Sequence, residues 1–445
     1  MRNKIIIIVL GLLPVMATAQ QLTLDSCKNL TLQFNKRIKE AQLRVEESSE
    51  IKKQAFTKYF PQVSGGFMAM KADDYLLQGE IPAANLPVYD GNIANLPTAT
   101  QFAYFPGMDI NLLDYTNLGY VAAVEPVYMG GQIRNGNKLA ELAEEIHRHQ
   151  LLLSQDDALI KTEQQFWTLI SLKNRMKTID QYERLLDTLH KDVSAFFDAG
   201  LVNRSDLLKV EVKQNELKGK RLQLENGIEI VGMALCQNMG IRYTPGIQFV
   251  SDEITKESIG SYFLQADTAV QNRQEIQLLE KAIAAEKLQK KMVRGEILPH
   301  VAVGVQGLYL DVLENQSTRG LLFATVNIPI SAWWEGSHKL KKQQIKVDIA
   351  ENKLQESLDL MVLQIEKTYK ELIESYQQIG ITQKSAEQVE EYLKVSRDNF
   401  DAGIEGASDL LEAQAMFQEA QESYINALCN GQIKLAQYKN AIAVK

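Results

Sequence analysis

The sequence predicts a mainly α chain with a small β part: long coiled-coil helical hairpins plus four strands. Three observations predict it. A stretch occurs twice, Phe197 to Leu208 and Phe400 to Leu411, and the copies share Phe-Asp-Ala-Gly and Ser-Asp-Leu-Leu in register. Apolar residues recur every seven positions through the segment before each copy, the spacing of a coiled-coil seam. Each half also carries two strand-like segments, three of the four showing the two-residue period of a strand.

The chain has 445 residues. Residues 1–19 read as a signal peptide, with Arg2 and Lys4 as charged start, Ile5 to Met16 as apolar run, and Ala17-Thr18-Ala19 as cleavage site. The formal net charge is −8, and loss of Arg2 and Lys4 with that segment makes it −10. An acidic exported chain lacks the basic face that nucleic-acid binding needs. No later segment is long and apolar enough for a helical membrane span, which leaves a β-barrel span open because its signal is weak and confined to short segments.

The mature chain divides into a first structural repeat over 20–240, a connector over 241–265 and a second repeat over 266–445. From Leu22 to Tyr59 the pattern is helical, with Leu30, Phe34, Ile38, Ala41 and Val45 at three- and four-residue spacing. Phe60-Pro61 ends it, because proline biases the preceding residue toward extended geometry. Gln62 to Met70 then alternates. Lys71 to Asp114 is a long irregular loop rich in proline and aromatics, with room for short elements of its own, and Thr116 to Val124 alternates again, closed by Pro126. Gln132 to Phe196 is helical, with Leu139, Ile146, Leu153, Ile160 and Trp167 in one heptad phase. Leu172, Ile179, Leu186 and Val193 follow in a shifted one.

At the duplicated stretch, Gly200 and Gly403 are placed to end a helix in a left-handed conformation, and Ser205-Asp206 and Ser408-Asp409 to start the next. Each copy therefore reads as the tip of a helical hairpin. Asp206 to Gln237 returns as a shorter helix. The order then repeats: helix over 268–294, Pro299, a strand from Val301, a turn at Asn315 to Gly320, a strand from Leu321 to Ile328 closed by Pro329, and a second long helix from Ser337 to Asn399. Its seam is Leu358, Ile365, Leu372, Ile379, Ala386, Leu393 and Phe400. The last helix runs from Ser408 to Val444.

Four strands cannot close a barrel, and an open edge in lipid would leave backbone groups unsatisfied. Either the strands are soluble or several chains share one barrel. Trp333-Trp334, just after the last strand, suits a membrane interface or ordinary packing at a sheet end.

The ordered set of signal peptide, duplicated half, Phe60-Pro61-Gln62 and Leu298-Pro299-His300 leading into strands, Glu125-Pro126-Val127-Tyr128-Met129-Gly130-Gly131 leading out of one, and paired tips resembles the TolC family of outer-membrane efflux proteins. The resemblance covers nearly all of the mature chain. It implies a homotrimeric α/β barrel that spans the outer membrane and extends into the periplasm. Three chains would share twelve strands there. The partners implied are a periplasmic adaptor, an inner-membrane pump of proton-driven or ABC type, and outer-membrane lipid. By the same resemblance Asp409 and Glu412 form an acidic ring at the periplasmic entrance. The Lys71 to Asp114 loop is longer than the family's usual one, and the second strand exit, Pro329 to Gly336, carries an insertion.

Read from the residues themselves, Asp409-x-x-Glu412 also resembles a helix-start capping box. Gly200, Leu201, Val202, Ser205, Asp206, Gly403, Ile404 and Ser408 form candidate adaptor-contacting tips, since exposed aliphatics on a hairpin tip call for a cover; the alternative is self-capping. Pro61, Pro126, Pro299 and Pro329 mark where strands begin and end. His147, His149, His190, His300 and His338 have no metal-ligand spacing, and there is no phosphate loop or nucleophile elbow. No catalytic, metal or cofactor site is expected. Cys236 and Cys429 read as free buried thiols, with a bridge between them open, and Cys27 lies too far past the cleavage site to read as a lipid-anchor cysteine. The competing functions are a periplasmic coiled-coil adaptor or interaction protein and, on no constellation of residues, an exported enzyme.

Overall fold

The computed structural model describes residues 21–112, 115–251, 259–312 and 315–444. The expected signal peptide, part of the expected 241–265 connector, and Asp114 at the end of the expected loop lie outside them. The elements in chain order are β1 (Gln21–Leu22), α1 (Leu24–Phe34), α2 (Lys36–Phe56), β2 (Gln62–Lys71), β3 (Leu77–Ile81), β4 (Ala84–Pro87), β5 (Phe102–Phe105), β6 (Met108–Leu112) and β7 (Tyr115–Met129). There follow α3 (Gln132–Asp198), α4 (Arg204–Met239), β8 (Gln248–Phe249), α5 (Ala266–Ala269), α6 (Gln274–Glu296), β9 (His300–Val312), β10 (Asn315–Asn327), α7 (Ala332–Asp401) and α8 (Ala407–Ala441). The chain forms two compact units, and α2, α3, α6 and α7 each contribute a segment to both.

One unit comprises residues 49–142 and 284–348. Its centre is a four-stranded antiparallel sheet in the order β10-β9-β7-β2. The register sorts the side chains by face. Val63 and Phe67 of β2, Val121 of β7, Val303 and Val305 of β9, and Leu322 and Val326 of β10 all share one face, and all are exposed. The opposite face carries Gln62, Ser64, Gln306, Ser317 and Arg319, together with the buried Thr116 and Ala122. β2 and β10 are the open edges.

Several expected boundaries move. β7 does not stop at Pro126: the ladder to β9 continues to Met129 across a bulge between Pro126 and Tyr128. A bulge is where a strand tolerates proline's missing donor. The expected turn at Asn315 to Gly320 is strand, because each of these residues pairs with one of Gly307 to Val312 and ladder pairing outweighs local turn preference. The 71–112 segment is ordered as two ribbons, β3 with β6 and β4 with β5.

Below the sheet in the same unit, the four helices follow the order of the strands they continue. Asn137 Nδ2 of α3 donates to Ala55 O of α2 (2.9 Å), and Gln343 Nε2 of α7 donates to Glu286 O of α6 (3.4 Å). Between these pairs the backbone of Gly130 meets that of Gly295. A Cβ on Gly130 would lie 2.3 Å from Gly295 O, and Gly130 has φ +60°, so two glycines are needed where α3 begins beside the end of α6.

The second unit comprises residues 21–48, 143–283 and 349–444 among those described. It is built from heptad seams. Ile365, Leu372, Ile379, Ala386 and Phe400 of α7 are buried, as are Trp167, Ile179, Leu186 and Val193 of α3. One core joins Ile179 to Val193 with Val210, Leu217, Phe400, Ala407, Leu410 and Leu411, so both tips share it.

The expected single helix over 22–59 is broken at Asn35. The Asn35 Oδ1 accepts from Arg37 N (2.8 Å) and Ile38 N (3.1 Å), restarting the chain as α2, while its Nδ2 donates to Asn238 O (2.6 Å). The break lets the end of α1 close on Gly240, where any Cβ would meet Phe34 O at 2.0 Å. After α4, β8 pairs in parallel with β1 at the start of the described chain. All three cysteines are free and buried in one core with Phe166, Trp167 and Leu235, and burial pushes the Cys27 thiol up to about 12 and Cys429 up to about 11.

Candidate functional site

The two tips close in the same way. Gly200 at φ +79° and Gly403 at φ +70° turn the chain out of α3 and α7. Gly200 N donates to Phe197 O (2.9 Å) and Leu201 N to Phe196 O (2.8 Å); Gly403 N donates to Phe400 O (2.9 Å) and Ile404 N to Asn399 O (2.8 Å). This is the paired C-terminal motif that satisfies the last helical carbonyls, and glycine is the residue that adopts it without strain.

The motif usually folds the residue after glycine back onto its own helix. Here it does not: Leu201 is 72% exposed and Ile404 75% exposed. Self-capping therefore fails for these two side chains. Val202 differs, being half-buried against the shared tip core.

The polar residues of the tips divide by role. Lys209 Nζ pairs with Asp206 Oδ1 (3.3 Å) and donates to Ser408 Oγ (2.8 Å), so the first tip's acid is neutralised and the tips are tied together. Asp409 Oδ2 accepts from Gly406 N (3.0 Å). The cap at the start of α8 is thus Gly406 with Asp409, three positions earlier than the expected Asp409–Glu412 pairing. Gly406 has no side chain to return the bond, so half a capping box is present. Glu412 is exposed one turn further on.

Glu405, which the sequence did not single out, accepts from Ser396 Oγ (2.6 Å) and Asn399 Nδ2 (2.9 Å), bonds that hold its carboxyl below the usual range. Its signal was available, since it is the acid nearest the second glycine in the tip sequence. Ser205, Lys209, Ser408 and Glu412 line one groove of about 770 Å³, floored by Leu208, Val212 and Leu411. Gly200 and Gly403 have open space where a side chain would stand.

The remaining candidate residues lie in the sheet unit. Pro61 precedes β2, Pro299 precedes β9, Pro329 follows β10, and Pro126 stands within β7 rather than at its end. Trp333 and Trp334 are exposed in the first turn of α7, and Trp333 Nε1 donates to Ile297 O (2.9 Å). Among the described residues no cluster of His, Cys, Asp or Glu could hold a metal ion, and no helix is long and apolar enough to cross a membrane.

The sheet is antiparallel, and Val63, Phe67, Val121, Leu322 and Val326 are exposed together on one of its faces. Residues 266–443 match the family model described as outer membrane efflux protein. No curated protein sequence matches the chain.

Among solved structures, the Campylobacter jejuni CmeC outer membrane channel is 12% identical with a TM-score of 0.74, covering 94% of this chain and 85% of that one. The outer membrane protein VceC of Vibrio cholerae is 12% identical with a TM-score of 0.70, covering 95% and 96%. The open state of the Neisseria gonorrhoeae MtrE outer membrane channel is 11% identical with a TM-score of 0.71, covering 95% and 89%. The chain has the TolC-like outer-membrane channel fold.

Proposed function

We propose that the chain is the outer-membrane channel of a tripartite efflux system, a passive exit duct that assembles as a homotrimer. The observation that carries this is the sheet: four antiparallel strands, both edges open, with Val63, Phe67, Val121, Leu322 and Val326 bare on one face. Lipid is the solvent that such a face fits, and in lipid both edges must find partners. β2 and β10 run in opposite directions, so β10 of one copy can pair antiparallel with β2 of the next around a closed ring. Three copies give twelve strands, an even number, as single-chain outer-membrane barrels have. The helices need neighbours too: Leu360, Leu363, Ile381, Tyr392 and Val395 of α7 remain exposed, a load of apolar surface that further copies would cover.

In this reading the two halves, 20–240 and 266–445, are a duplication joined by the 241–265 segment, and 1–19 is removed on export. The duct holds no catalytic site. Its barrel crosses the outer membrane with Trp333 and Trp334 at the interface, and its helices continue into the periplasm. There the tips meet an adaptor coupled to an inner-membrane pump.

Leu201 and Ile404 are the adaptor-facing anchors, with Gly200, Val202, Ser205, Asp206, Gly403 and Ser408 framing them. Cysteines placed at 201 and 404 are expected to crosslink to the adaptor in cells; capture of neighbouring copies alone would assign these side chains to the trimer instead.

Asp409 and Glu412 repeat three times around the entrance. Close like charges recruit cations, and Asp409 serves as both cap and ring member. The function is tested in planar bilayers. The inserted assembly is expected to conduct, added multivalent cations to block it, and the Asp409→Ala/Glu412→Ala double variant to resist the block. Equal block of wild type and variant would remove the ring from this account. An inserted assembly that never conducts would remove the duct.

A further inference from the structure

Glu125 is a charged residue at the helix-proximal end of the sheet's apolar face; Asn117, Asp311 and Gln316 share that face at the opposite end. It lies on β7 across from Val303 of β9, and the register places it with Val63, Val121 and Val305 rather than with the polar residues of the other face. Its Oε2 is screened from solvent and has no hydrogen-bond partner among the described residues. Around it runs a shallow groove of about 460 Å³ walled by Pro61, Ala123, Val303, Val305, Leu322 and Ala324. The walls carry no other charge.

A carboxylate oxygen in apolar surroundings without a donor is costly, and charges at membrane depth pair with a partner or mark a functional site. The position narrows the partner. Glu125 stands just beyond Val124, which pairs with Gln62, the first residue of β2, so it is at the end of the sheet nearest the helices. In a membrane that end is where headgroups lie, and the groove above it is apolar.

We propose that this groove binds one membrane lipid whose headgroup carries a primary ammonium, with the ammonium donating to Glu125 and an acyl chain lying along Val303, Val305 and Leu322. The inference rests on the reading of the sheet as membrane-inserted. A primary ammonium supplies charge and donors together, which an orphaned carboxylate oxygen requires. A quaternary choline group has the charge without the N–H, and an anionic headgroup is repelled.

The test uses the full mature chain in nanodiscs containing equal parts phosphatidylethanolamine, phosphatidylcholine and phosphatidylglycerol, with retained lipid measured by native mass spectrometry. Wild type is expected to keep phosphatidylethanolamine roughly ten-fold over the other two, the scale of one charge-assisted hydrogen bond. Glu125→Gln is expected to abolish that preference. Ala324→Trp, which fills the groove and leaves the carboxylate, is expected to lose retained lipid of every headgroup.

Equal ethanolamine retention in wild type and Glu125→Gln overturns the site. So does an assembly structure in which a lysine of the neighbouring copy pairs with Glu125. A protein that inserts and shows no headgroup preference sinks the lipid site alone, whereas a protein that does not enter the bilayer sinks the membrane reading with it.

Discussion

Replacing Gly130 with alanine is expected to cost roughly 2–5 kcal/mol and to cut the yield of folded protein severely. Two penalties combine. Gly130 has φ +60°, where an L side chain costs about 1–2 kcal/mol. The new Cβ would also stand 2.3 Å from Gly295 O, and that contact is backbone, which relieves the overlap only by moving α6 against α3, at about 1–3 kcal/mol. The neighbouring glycine is the control. Gly131 has φ +78°, but a Cβ there would meet only Asn135 Nδ2 at 3.5 Å, so Gly131→Ala carries strain without overlap. Thermal unfolding of both variants in detergent separates the terms: Gly130→Ala should melt well below Gly131→Ala, and equal melting would mean the two backbones are not packed as described.

The second large effect is expected from adjacent residues on opposite faces of β10. Leu322 is 81% exposed on the apolar face, whereas Leu321 shares the other face with Arg319. If the apolar face meets lipid, Leu322→Arg, near the middle of the strand, should cost about 2–4 kcal/mol of membrane insertion, while a lumen-side arginine at 321 is solvated. Outer-membrane fractionation is expected to show Leu321→Arg assembled near wild-type amounts and Leu322→Arg depleted. Comparable depletion of both, or of Leu321→Arg alone, would reverse or erase the assignment of faces.

Much of this chain was legible without coordinates because its regularities are periodic. The heptads at Ile365, Leu372, Ile379 and Phe400 could be counted, and their burial follows from the seam they define. The tip glycines were equally legible, since a left-handed residue after a long helical pattern has few alternatives to glycine. Boundaries decided by pairing were not. Asn315 to Gly320 has the composition of a turn and forms strand, because pairing with β9 outweighs what those residues prefer alone. Pro126 reads as a strand end and sits in a bulge. Asn35 breaks a helix that periodicity carries straight through, because Asn238, some two hundred residues away, accepts its side chain.

The candidate sites divide along the same line. The sequence alone placed Asp409 and Glu412 one helical turn apart at a hairpin tip and marked Leu201 and Ile404 as aliphatics there. It did not show that Gly406 takes Asp409 as its cap, that Lys209 neutralises Asp206 while reaching Ser408, or that Val202 turns inward as Leu201 stays out.

By itself, then, the sequence determined the class of fold, the hairpin tips and the shortage of strands per chain, because each depends on residue type at a fixed local spacing. Only the tertiary structure decided which sheet face is bare, why Gly130 and Gly295 must both be glycine, and that Glu125 Oε2 has no hydrogen-bond partner among the described residues, on the face it shares with Val303 and Val305. Those depend on which distant segments meet and in what register, and a shift of one residue in a strand would send every one of its side chains to the other face.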